Sequence, residues 1–155
     1  MPTTGLETLA ERAVRDLGAL LVTTTVIVPS GDEVARVQST HPQVYPVGGR
    51  KRLDPSQTSP VWLESVVDGQ QPFLGVDRAA VREFFADWAT IEQLGCGAII
   101  NTPVVEDGVT IGSVNFLAPE GTFDQRSVKR AVELTALAVP AVAHARVVAF
   151  PELAR

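Results

Sequence analysis

Residues 97–117 constrain the fold more than any other stretch. Two apolar runs, 97–105 and 109–117, flank Glu106-Asp107-Gly108. Asp-Gly between such runs is the chemistry of a tight hairpin turn, whose central residues need positive φ. The spacing predicts two antiparallel strands, followed by a helix over 124–148. In that helix Val128, Val132, Thr135, Val139 and Val142 step by four and three, beside a stripe of Ala131, Leu134, Ala138, Ala141 and Ala145. Pro140 falls inside it and is expected to kink it or end its regular hydrogen bonding.

The first third reads as a helix over 4–17, with Thr4 and Glu7 at capping-box spacing and Gly18 as its stop. A strand over 19–28 follows, with Leu20, Val22, Thr24, Val26 and Val28 on one side and Leu21, Thr23, Thr25 and Ile27 on the other. Turn residues at 29–32 and a return strand over 33–39 complete an earlier hairpin. The segment 41–60, rich in Pro and Gly and without a clear period, reads as a long functional loop. Short elements come next: a helix over 62–67 capped by Ser59 with Pro60 at its first position, a strand over 73–76, a helix over 78–85 capped by Asp77, and a helical piece over 88–94 ended by Gly95. Sequential antiparallel strands closed by a long helix predict an α+β domain with helices packed on a sheet.

The 155 residues suit one domain, and 45% hydrophobic with 20% charged residues is ordinary for a globular chain. No apolar run reaches the roughly 18 residues of a membrane span, and the N-terminus lacks the apolar stretch of a signal peptide. A cytoplasmic location without membrane attachment is therefore expected. Net charge is −5, from 13 basic and 18 acidic residues, which argues against nucleic acid as a partner. The one basic cluster, Arg50-Lys51-Arg52, suits a small anion at most. Cys96 is the only cysteine, and His41 and His144 are the only histidines, so an intrachain disulfide is excluded and no metal site is expected.

Three segments together resemble a GAF domain: STHPQVYPVGGRKRL, TSPVWLESVVDGQQPFLG and LGCGAIINTPVVEDGVTIGSVNFLAPEGTFDQRSV. The most specific part is the second hairpin, with Asn-x-Pro-Val before the turn, Ile-Gly-x-x-Asn-Phe after it, then Phe-Asp and a helix. The resemblance spans residues 6–142, and the YPVGGRK loop is similar to that of stand-alone or short-chain bacterial members. It implies a single domain over 1–155 with a central antiparallel sheet of about six strands. The terminal helices lie on one face and a ligand pocket on the other. It further implies a small-molecule sensor or regulator, commonly a homodimer through the terminal helices. Family ligands range from cyclic nucleotides, bilins and haem to nucleobases, amino acids and aromatics, so the cofactor or ligand stays unidentified. The chain has no space for an output domain, so the resemblance implies action through a separate signalling protein or chemistry of its own. The apolar stripes of the helices place Leu6, Leu9, Ala131, Leu134 and Ala138 at the expected dimer surface.

The candidate ligand-binding residues are Tyr45, Gly48, Gly49, Arg50, Trp62, Cys96, Asn101, Ser113 and Asn115. The two glycines allow backbone N–H groups to approach a ligand, and Arg50 can clamp a carboxylate or phosphate; the alternative is a turn with a solvated arginine. Lys51 reads as surface. Tyr45 either stacks on a ligand or anchors its loop, and Trp62 either walls a pocket or fills the core. Asn101, Ser113 and Asn115 are polar groups on otherwise apolar strands and must bond each other, the backbone or a ligand. Cys96, between Gly95 and Gly97, is a nucleophile if His41 serves as its base, and otherwise a small buried hydrophobe. The enzymatic branch of the family, the free methionine-(R)-sulfoxide reductases, uses more than one cysteine, whereas this chain has one.

Overall fold

The structure, a computed structural model, describes residues 5–154. The expected capping box rests on Thr4, which lies outside them. The first helix, α1 (Leu6–Leu17), has Gly5 at its N-cap and ends where Gly18 takes a left-handed φ of 72°. Its apolar spacing buries Leu9, Ala10, Ala13 and Leu17.

The first hairpin is β1 (Leu21–Ile27) and β2 (Glu33–Ser39). The segment read as a long functional loop contains a further strand, β3 (Arg50–Arg52), paired antiparallel with β2. After it come α2 (Pro60–Trp62), capped by Ser59, and a π-helical continuation Leu63–Asp68. Next are β4 (Phe73–Gly75), α3 (Arg78–Phe84) capped by the Asp77 carboxylate, and α4 (Trp88–Gln93). The second hairpin is β5 (Ala98–Glu106) and β6 (Val109–Ala118). At its turn Asp107 and Gly108 have φ of 51° and 79°, as a tight two-residue turn requires. The last helix, α5 (Gln125–Ala149), starts from a capping box between Asp124 and Ser127.

All six strands form one antiparallel sheet in the order β3-β2-β1-β6-β5-β4. The pleat sends alternate residues to opposite faces. Val22, Val26, Ile100, Val104, Val114 and Phe116 meet α1 and α5 in the main core. Leu21, Ile99 and Leu117 point the other way, into a second cluster under the short helices. The α+β architecture with helices on one face is thus that of the GAF-like expectation.

Helix α5 runs on for nine residues beyond Pro140, whose missing N–H interrupts the regular hydrogen bonding on the exposed side, where the unpartnered carbonyl can reach water. The expected dimer surface is corrected. Leu9, Ala131, Leu134 and Ala138 are fully buried in the protomer's own core and cannot form a surface between two copies. By length and composition α5 could also cross a membrane, yet its face of Ala131, Leu134, Thr135, Ala138 and Val142 is buried in the fold. Thr135 and Thr102 share a buried hydrogen bond of 2.6 Å that ties α5 to β5.

Candidate functional site

On the face away from the terminal helices, the centre of the sheet is polar. Register puts Asn101, Asn115 and Thr23 side by side across β5, β6 and β1, and Ser113, Thr25 and Arg36 side by side across β6, β1 and β2. The side chains bond along these rows. Asn101 Nδ2 donates to Asn115 Oδ1 at 2.7 Å, and Asn115 Nδ2 donates to Thr23 Oγ1 at 3.0 Å. Ser113 Oγ donates to Asn115 Oδ1 at 3.2 Å and shares a 2.9 Å bond with Thr25 Oγ1. The structure therefore brings Asn101, Ser113 and Asn115 together and adds two threonines, whose β-branched side chains suit a strand.

These residues floor a cavity of about 120 Å³. Its walls come from Leu21, Ile99 and Leu117 on the sheet, Phe84 and Phe85 at the end of α3, Ile91 on α4, and Trp62 on α2. The segment 45–53 forms one side, contributing Tyr45, Gly49, Lys51 and Leu53.

Arg36 organises that side. A bulge between Thr24 and Thr25 sets the register in which it faces Thr25. Its Nη1 donates to the Pro46 carbonyl at 2.9 Å, and its guanidinium lies over the Tyr45 ring, 5.1 Å from the centroid. The Tyr45 hydroxyl donates to Asp87 Oδ2 at 2.6 Å, so the carboxylate at the α4 N-cap holds the loop instead of capping the helix. Burial, then the bond to Asp87, raises the tyrosine pKa, and burial lowers that of Arg36. No reading of the sequence singled out Arg36, although it shares its strand face with Val34.

The glycine pair acts differently from expectation. Gly48 N–H donates to the Arg36 carbonyl at 2.8 Å and Gly49 N–H to the Pro46 carbonyl at 3.2 Å, so both donors are already engaged. A Cβ on Gly49 would meet Arg36 Nη1 at 2.5 Å; the missing side chain makes room for the guanidinium. Gly48 is not part of the lining. Arg50 is, but it lies opposite Ala35, a residue of the helix-side core, and its guanidinium contacts Glu33 at 3.3 Å and the Phe150 ring at 5.4 Å. Lys51, one residue on, takes the opposite side of the strand and sets its ammonium 6.0 Å from the Phe85 ring centroid. The cation turned to the site from this strand is thus Lys51, read from sequence as surface.

Cys96 is fully buried beside the cavity and absent from its lining. Burial pushes its thiol up to about 11. The space at Gly97 is filled by Arg78 and Glu120, either of which an added Cβ would meet at 2.9 Å. His41 also lies outside the lining and bonds the neighbouring Thr40 hydroxyl through Nδ1 at 2.9 Å. Among the described residues no hydrogen bond reaches the Cys96 sulfur, so the pair proposed for catalysis is not assembled. Trp88 is surface, with Arg82 stacked 4.9 Å from its ring centroid.

Among the described residues, three buried side-chain polar atoms have no hydrogen-bond partner: Arg36 Nε, Trp62 Nε1 and Asn101 Oδ1. All three belong to residues lining this one cavity.

No family model matches the sequence, and no curated protein matches it. Solved structures do. The GAF domain of a phosphoenolpyruvate-protein phosphotransferase from Coxiella burnetii superposes with a TM-score of 0.71 at 18% identity, over 93% of this chain and 83% of that one. The GAF domain of a two-component sensor histidine kinase from Bacillus halodurans gives 0.64 at 11% identity, over 94% and 99%. A type II free methionine-R-sulfoxide reductase from Thermoplasma acidophilum gives 0.63 at 13% identity, over 89% of each chain. With its six-stranded order, its terminal helices on one face and these superpositions, the chain has the GAF fold.

Proposed function

We propose that this domain is a sensory or regulatory module that binds a small metabolite in the cavity floored by Asn101, Ser113 and Asn115. On this reading it works in the cytoplasm as a homodimer and reports ligand occupancy to a separate signalling protein.

The observation that carries the reading is that, among the described residues, all three side chains with an orphaned buried polar atom, Arg36, Trp62 and Asn101, line one cavity. Leaving a buried donor or acceptor unpaired costs about 1–3 kcal/mol. Three such groups in one place are a cost that a ligand with matching groups removes. The occurrence of this fold in a phosphotransferase and a sensor kinase supports the regulatory role. At about 120 Å³ the cavity is well below the roughly 300–1,000 Å³ of sites for drug-sized ligands, which favours a metabolite of few atoms over a bilin, a haem or a cyclic nucleotide.

The test is a thermal-shift screen of small metabolites on the wild type and on Ser113→Phe, with circular dichroism as the check that the variant folds. A saturable rise in Tm in the wild type alone is expected. An equal rise in both proteins would locate binding elsewhere and defeat the reading.

A further inference from the structure

We infer that this cavity, if it is the ligand site proposed above, selects a small monocarboxylate with an apolar body and a hydrogen-bond donor remote from its carboxylate.

The electrostatics give the charge. The chain as a whole carries −5, yet the cations facing this cavity, Arg36 and Lys51, make no ion pair among the described residues. The acidic side chain of the lining, Asp87, accepts the Tyr45 hydroxyl and keeps its negative charge, which acts on Arg36, so Arg36, Lys51 and Asp87 together present a net charge of +1. Arg36 is half-buried, and its Nε is one of the orphaned atoms. A half-buried guanidinium held on an aromatic ring, with a free N–H beside it, is built for an anionic oxygen. Trp62 Nε1 is a second free donor and no use to a cationic ligand.

The remaining groups give the body. Asn101 Oδ1 is a free acceptor, and Asn101 stands on β5 while Arg36 stands on β2, with β1 and β6 between them. Three strand intervals are about 14 Å between backbones, which the long Arg36 side chain shortens. A ligand satisfying both ends therefore carries its donor away from its carboxylate. Between the ends, Leu21, Ile99, Leu117 and Phe85 offer apolar contact. Asp87 offsets one of the two cations and the space between the ends is apolar, so a second charge would be desolvated without a partner: one carboxylate fits and two do not.

The experiment titrates the intact protein by calorimetry with p-hydroxybenzoate and 5-hydroxypentanoate, alongside p-hydroxybenzamide, p-hydroxybenzylamine and phenyl phosphate. Carboxylates should bind at least roughly tenfold tighter than the amide, with the amine not binding. Lys51→Met, a half-exposed position without an ion pair, should lose several-fold in carboxylate affinity and leave the amide unchanged. Arg36→Lys should abolish the preference; because Arg36 also anchors residues 46–49, circular dichroism and Tm accompany it. Amide or amine binding as tight as carboxylate overturns the carboxylate class but leaves the cavity as a ligand site. Tighter phenyl phosphate makes it a phosphate site. Failure of both carboxylates, with a metabolite from the screen still blocked by Ser113→Phe, also overturns the inference alone.

Discussion

Cys96 sits fully buried in the cluster that contains Trp62, Ile91 and Leu117, and burial raises its thiol from 9.0 to about 11. The thiolate is the nucleophile, so at neutral pH almost none is present. Iodoacetamide at pH 7.5 should label the folded protein far more slowly than the urea-unfolded chain; equal rates would contradict this burial. The sign of the linkage is set by the same shift. Above pH 9 the unfolded chain loses this proton while the folded chain holds it, so the thiol's contribution to stability falls between pH 9 and about 11. Denaturant titrations of the wild type and Cys96→Ala should diverge in that window, the wild type losing more as pH rises. Trp62→Phe probes a different atom. It removes the orphaned Nε1 donor, relieving about 1–3 kcal/mol of desolvation, and gives up part of the ring's packing, a loss of similar size. Urea melts should show a net change within about 1 kcal/mol, while affinity for the ligand drops. A large loss of stability would mean that the indole serves the core alone.

The strands β1 and β6 approach so closely that a Cβ on Gly112 would lie 2.1 Å from the Thr25 carbonyl oxygen. That atom is backbone in the centre of the sheet and cannot swing aside. Gly112→Ala should therefore destabilise by about 3 kcal/mol or more, seen as a lowered urea midpoint, whereas Val109→Thr at the exposed hairpin end should change it by less than about 0.5 kcal/mol. Both hairpins, the caps at Ser59 and Asp77 and the final helix were legible because alternation, turn chemistry and capping are local. Strand β3 was not: Arg-Lys-Arg shows no apolar alternation, and only its pairing with Glu33, Val34 and Ala35 of β2 makes it a strand. The same pairing turns the Lys51 side chain to the cavity face and that of Arg50 toward Glu33 and Phe150, which no spacing within the loop reveals. Asn101, Ser113 and Asn115 were legible as a group because polar residues on apolar strands must find partners. Arg36 was not, since its register is set by the bulge in the first hairpin and its partners Tyr45 and Pro46 come from the following loop.

Across the whole molecule, burial of one helix stripe leaves the opposite sides of α1 and α5 to solvent; on α1 Val14 stands among Glu7, Thr8, Glu11, Arg15 and Asp16, whereas the middle of α5 exposes Val132, Ala136, Leu137 and Pro140. Val14 is 50% exposed, Val132 42% and Leu137 50%. Leu137 lies one turn before Pro140 on α5, which is also exposed. Exposed apolar residues scattered singly need no explanation, but Ala136, Leu137 and Pro140 share one outer face of α5 and make a surface that association would cover. The proposed homodimer therefore uses the outer face of α5 around Leu137 in place of the buried Leu9, Ala131, Leu134 and Ala138. In a two-fold arrangement the same patch meets itself, so one substitution acts on both sides of the contact. Leu137→Glu should bring a carboxylate against apolar surface and against its own copy, and light scattering at micromolar concentration should show a dimeric wild type and a monomeric variant. The cavity lies on the far face of the sheet, so the monomeric variant should keep its ligand-induced Tm shift. A wild type that is monomeric at that concentration removes the dimer. A dimer that survives Leu137→Glu unchanged assigns the contact to another face.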